Sequence, residues 1–65
     1  MNIIVNGTPQ SVSVNCTLSE LLELLEIRGR IAVEINGELL PKRLFSAQVL
    51  QPGECVEIVR AIGGG

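Results

Sequence analysis

Histidine, aspartate, tryptophan and tyrosine are missing from this chain of 65 residues, and Phe45 is its one aromatic. Without histidine, two cysteines (Cys16 and Cys55) are too few to complete a zinc site. One aromatic ring leaves no stacking platform for nucleic-acid bases. Five Lys and Arg against seven acidic residues give a net charge of −2, so there is no basic surface for phosphate either. No apolar run approaches the roughly 20 residues that span a bilayer, and no signal peptide is expected before the domain. The expected location is therefore the cytoplasm, with no membrane partner. Cysteine is not dense enough to read as a disulfide framework, and two small half-buried thiols are expected, with no redox or sulfur-transfer role. Gly7, Gly29, Gly37 and Gly53 stand singly in turns and match no phosphate-cradling spacing. The chain is thus expected to be no enzyme, and to bind no metal or cofactor of its own.

What is present reads as one small domain, which buries only about 60% of its unfolded surface. Asn2 to Asn6 is a short apolar run in which Ile3 and Val5 share one face and Ile4 takes the other. Gly7-Thr8-Pro9 breaks the run, and Asn6-Gly7, a favoured turn dipeptide, opens the loop of a hairpin to the next segment. Ser11-Val12-Ser13-Val14 alternates as a half-buried strand should, with Val12 and Val14 facing the core. Thr17 and Glu20 form a capping box, so a helix is predicted from Leu18. Leu18, Leu21, Leu22 and Leu25 line its apolar face, and Glu20, Glu23 and Glu26 lie opposite. That acidic face argues against a membrane-surface helix. Gly29 is expected to end the helix, with Arg28 complementing its dipole.

Ile31 to Asn36 predicts a strand with Val33 and Ile35 inward and Glu34 outward. Asn36-Gly37 turns it into a short return strand, Glu38-Leu39-Leu40, which Pro41 ends. Leu44 or Phe45 is expected to plug the open end of the core. Pro52-Gly53 suits the centre of a type II turn. Cys55 to Ile62 then forms the last strand, with Val56 and Ile58 on one face and Glu57, Val59 and Ala61 on the other. Apolar residues on both faces suit a central strand. Ile4 and Val59 on the uncovered face are either scattered surface hydrophobes or the seed of a docking patch.

After Ile62 the side chains stop: Gly63-Gly64-Gly65 ends at a carboxylate. Three extended residues reach only about 10 Å, yet no Cβ bars them from a narrow channel. A frayed tail is the plain alternative. The expected division is a body over residues 1–62 and a tail over 63–65. One leucine-faced helix can cover one face of one sheet, and the element order puts the first and last strands parallel if they are neighbours. That predicts an α+β, β-grasp fold: a mixed sheet of four to five strands with one main helix on one face.

Taken in order, Asn6-Gly7, Thr17-Leu18-Ser19-Glu20-Leu21-Leu22, Val33-Glu34-Ile35-Asn36-Gly37, Pro41, Gln51-Pro52-Gly53-Glu54, Val56-Glu57-Ile58-Val59 and the terminal glycines resemble the ThiS family of sulfur carriers over the whole chain. The resemblance implies a ubiquitin-like version of the β-grasp fold, and that a ThiF-type adenylyltransferase consumes ATP to adenylate the Gly65 carboxylate. Sulfur from a cysteine desulfurase-type donor then makes a thiocarboxylate, and a ThiG-type thiazole synthase takes that sulfur into the thiazole of thiamine. Gly65 would carry the sulfur, with Gly63 and Gly64 recognised beside it. Such chemistry needs outside help, because an ionised carboxylate is a poor electrophile and an acyl-adenylate must be kept from water. Ordering the tail costs backbone entropy that contacts from the body must offset, and Ile4, Glu57, Val59 and Arg60 are the docking candidates. Three alternatives remain: the small subunit of molybdopterin synthase, a ubiquitin-like modifier joined to lysines through Gly65, and a β-grasp interaction module with an inert tail.

Overall fold

The computed structural model describes residues 1–60. The expectations for Ala61, Ile62 and Gly63 to Gly65, and the boundary between body and tail, lie outside the described residues. Five strands and one α-helix follow in the order β1 (Asn2–Val5), β2 (Thr8–Ser11), α1 (Leu18–Leu24), β3 (Ile31–Ile35), β4 (Glu38–Leu40) and β5 (Cys55–Arg60). A 3-10 turn, Lys42–Leu44, sits between β4 and β5. The sheet order is β2-β1-β5-β3-β4. β1 and β5 pair parallel at the centre and every other pairing is antiparallel. A parallel pair needs a long crossover, and here everything from β2 to β4 supplies it. This is the β-grasp arrangement, with five strands.

The helix starts where its cap dictates. The Glu20 backbone N–H donates to Thr17 Oγ1 at 3.2 Å, and the Thr17 N–H donates to Glu20 Oε1 at 2.9 Å. Leu18, Leu21 and Leu22 are buried against Ile3, Val5, Val33, Val56 and Ile58 of the sheet, and Leu25 packs at the edge of the same core. Phe45 rather than Leu44 closes the open end, joined by Leu50. The Ile3/Val5 and Val56/Ile58 faces are as expected, and Asn36-Gly37 and Gly53 take the positive φ their turns require.

Two expectations are corrected. The second strand is Thr8–Ser11, not Ser11–Val14. Asn6-Gly7 is a complete two-residue turn (φ 49 and 82), so the chain pairs again at Thr8 and Pro9 lies within the strand opposite Ile4. Proline is tolerated there because β2 is an edge strand that need not donate outward. Val12 still reaches the core just past the strand, whereas Val14 is 72% exposed. The helix also stops at Leu24, well before Gly29. Glu26 takes the left-handed position (φ 56), its N–H donating to the Glu23 carbonyl while the Ile27 N–H donates to that of Leu22. That is a Schellman ending with glutamate where glycine is usual. Arg28 therefore lies beyond the last turn, which holds no basic residue.

Candidate functional site at the root of the C-terminal segment

β5 leads into the terminal segment, and both of its flanks are held by turn asparagines. On the β3 side, the Asn36 N–H donates to the Cys55 carbonyl at 2.8 Å and the Cys55 N–H donates to Asn36 Oδ1 at 3.0 Å. On the β1 side only Ile4–Cys55 and Val5–Val56 are in register, because β1 ends at Val5. Asn6 then continues the ladder. Its backbone N–H donates to the Val56 carbonyl at 2.9 Å. Its side chain accepts from the Ile58 N–H at 2.7 Å and donates from Nδ2 to the Ile58 carbonyl at 3.0 Å. One amide thus imitates the donor and acceptor of the next strand residue and leaves neither Ile58 group unpaired. Asn6 was read in the sequence only as a turn former. Its left-handed φ was foreseeable, but the amide's partner 52 residues away was not.

The docking candidates divide between the two faces of the sheet. Ile4, Glu57 and Val59 are exposed on the face away from α1. Ile4 stands beside Cys55 and Val59 beside Ala32. Cys55 to Val59 spans about 13 Å along the strand, so the two hydrophobes make no continuous pair. Arg60 follows on the other face, and its Nη1 donates to the Arg28 carbonyl at 3.2 Å, tying β5 to the loop after the helix. Gly63, Gly64 and Gly65 lie outside the described residues.

The cysteines are both free, and they differ instead of sharing half-burial: Cys16 is buried and Cys55 exposed. Burial pushes the Cys16 thiol above its ordinary value, and the Glu20 carboxylate adds to the effect. Its Sγ donates to the Thr17 carbonyl at 3.4 Å. A protonated, enclosed thiol is a poor nucleophile. A shallow depression between Leu40, Gln48 and Glu54 lies beside the Asn36-Gly37 hairpin, at the end of β5 opposite to Arg60, and offers neither thiol nor cation. Among the described residues no three His, Cys, Asp or Glu side chains gather as a metal site, and no helix is long and apolar enough to cross a membrane.

Residues 3–65 match the model of the family described as the ThiS family. The crystal structure of the thiamine biosynthesis protein ThiS from Geobacter metallireducens superposes with a TM-score of 0.87 at 36% identity, over 100% of both chains. The sulfur carrier protein ThiS of Escherichia coli (strain K12) is 29% identical over 66 residues, again over 100% of both chains. The thiazole synthase of Paramagnetospirillum magneticum is 36% identical over 66 residues; the alignment takes in all of this chain and 20% of that enzyme.

Proposed function

This chain belongs to the ThiS family, and from that premise we propose that it is a sulfur carrier whose Gly65 carboxylate is recharged by other enzymes. The observation that carries the reading is a central strand, β5, bonded to Asn6 and Asn36 on its two flanks, which the sequence follows with Ala61, Ile62 and three glycines. In the first step a Gly65 carboxylate oxygen attacks the α-phosphorus of ATP and pyrophosphate leaves. The product is an acyl-adenylate, held dry by a ThiF-type adenylyltransferase. The terminal sulfur of a persulfide on a cysteine desulfurase-type donor then attacks the carbonyl carbon, AMP departs with the bonding pair, and a second thiol cleaves the acyl disulfide, leaving with the donor sulfur as a disulfide. The thiocarboxylate so formed passes its sulfur to a ThiG-type thiazole synthase. Gly63 and Gly64 serve by being bare, since a Cβ on either would obstruct closure around the acyl-adenylate.

The protein itself supplies no catalytic group and acts as a co-substrate in the cytoplasm. The choice of thiazole over molybdopterin rests on the likeness to a segment of a thiazole synthase, a chain in which a carrier-like piece accompanies the enzyme that would use it. Reconstitution with the three enzyme classes, ATP, cysteine, a thiol reductant and the carbon and nitrogen precursors of the ring should give thiazole in proportion to the carrier added. Deleting Gly65, or replacing Gly64 by phenylalanine, should abolish sulfur loading and move Tm by no more than about 3 °C. A large fall in Tm would make the tail structural and contradict the proposal. A covalent bond from Gly65 to a lysine of another protein would mark a modifier instead.

A further inference from the structure

The chain holds one dipeptide twice, Asn6-Gly7 and Asn36-Gly37, and the fold uses it the same way each time. Each forms the two-residue turn of a hairpin, with its asparagine left-handed at φ 49 and 52. Each asparagine also lends its side-chain amide to one flank of β5. Asparagine before glycine is chemically labile, because no Cβ shields the glycine nitrogen from the neighbouring amide. The other two asparagines, Asn2 and Asn15, precede Ile3 and Cys16, whose side chains hinder that nitrogen. The Cys16 N–H is moreover given to the Ser13 carbonyl at 3.2 Å, whereas among the described residues the N–H of Gly7 and of Gly37 has no acceptor.

The two turns differ in what the amide must abandon before it can swing toward the glycine nitrogen. Asn6 holds the N–H and the carbonyl of Ile58, at 2.7 and 3.0 Å, in a part-buried place beside a buried residue. Its departure leaves two backbone groups of the central strand unpaired where water replaces them poorly. Asn36 holds the N–H of exposed Cys55 at 3.0 Å and Glu54 Oε2 at 3.3 Å, and both bonds lie open to solvent. Water takes over both partners there at little cost. We propose that Asn36 is a site of spontaneous modification in the native protein, converting through a succinimide chiefly to isoaspartate, and that Asn6 is protected by its hold on Ile58.

In the first step the Gly37 nitrogen gives up its proton to solvent and attacks Asn36 Cγ. A new C–N bond closes the succinimide ring, the Cγ–Nδ2 bond breaks, and Nδ2 takes up a proton and leaves as ammonia. Water then adds to one of the two ring carbonyls. Opening at the main-chain carbonyl breaks the original peptide bond and routes the backbone through Cγ as isoaspartate; opening at Cγ gives aspartate. No oxidant or reductant is consumed, and solvent water is the one co-reactant. Either product sets a carboxylate against Glu54 where an amide N–H had donated, so the turn loosens its grip on the start of β5. The step is independent of the sulfur-carrier reading, since it touches neither the tail nor the enzymes that act on it.

The test is a time course of the full chain held at mildly alkaline pH, folded and, in parallel, unfolded in urea. Fragment masses locate each acid that replaces an amide, and methyl transfer by an isoaspartate-directed methyltransferase counts the isoaspartate. In the folded protein Asn36 should convert about tenfold faster than Asn6, the margin of one well-made hydrogen bond. In urea the two should convert at similar rates, because the residues before them, Val5 and Ile35, are both β-branched. Three results overturn the inference: Asn6 keeping pace with Asn36 in the folded protein, conversion at neither while both react in urea, or a first product at Asn2 or Asn15.

Discussion

Asn6 shows how much one side chain can decide. Its left-handed backbone makes the first turn, and its amide extends the central ladder to Ile58. Asn6→Ala loses both side-chain bonds and puts an unsuitable residue at positive φ, so stability should fall by about 2 kcal/mol. The Ile58 amide should exchange with solvent markedly faster, which hydrogen exchange followed by NMR would read. Asn6→Asp keeps the acceptor for the Ile58 N–H but sets a carboxylate oxygen against the Ile58 carbonyl, and should be the worse variant of the two. The turn was readable in the dipeptide Asn6-Gly7. The clamp was not, because it depends on which strand the fold places beside it.

The two thiols make a second prediction at this scale. A soluble aromatic disulfide should label Cys55 in the native protein and Cys16 only on unfolding, because one is exposed and the other buried. The raised Cys16 value also has a sign. The fold retains a proton that the unfolded chain gives up first, so stability is fully present below the ordinary thiol value of 9.0 and falls as pH climbs past it. Urea unfolding across that range should show the decline, and Cys16→Ala should remove it. A Cys16 that labels as fast as Cys55 would contradict the placement.

At the scale of elements, the helix was legible at its start and not at its end. Thr17 and Glu20 form a local motif whose two bonds lie within four residues, and the structure shows both. The end was misplaced because Gly29 is the residue a left-handed cap prefers, yet Ile27 gains core packing only if the chain turns at Glu26. Tertiary burial of Ile27 outweighed the local preference. Glu26→Gly should therefore relieve the left-handed glutamate and stabilise the fold by about 0.5–1 kcal/mol, measured as a higher urea midpoint at constant slope. The second strand was misread for a related reason. Alternation in Ser11 to Val14 looked like a strand, and Pro9 looked like a breaker. Edge position lifts the ban on proline, and a two-residue turn leaves no slack before Thr8. The central position of β5 was readable because apolar residues mark both its faces.

For the whole molecule, one apolar helix face and one two-sided strand were enough to indicate the sheet's cover and its middle. The opposition of Glu34 and Glu57 was not visible, since it needs the register of β3 on β5, which turn chemistry and core packing set only together. The body thus has a covered face that stabilises it, an open face on which Ile4, Glu57 and Val59 are exposed, and a central strand that precedes the terminal glycines in the sequence. The most direct measurement is the intact mass of the protein after incubation with a ThiF-type adenylyltransferase, ATP and a cysteine-derived sulfur donor. The account predicts a mass gain equal to replacing one oxygen by one sulfur, located at Gly65 by fragmentation and lost on deleting that residue. An unchanged mass with a competent partner, or sulfur found on Cys55 instead, would contradict it.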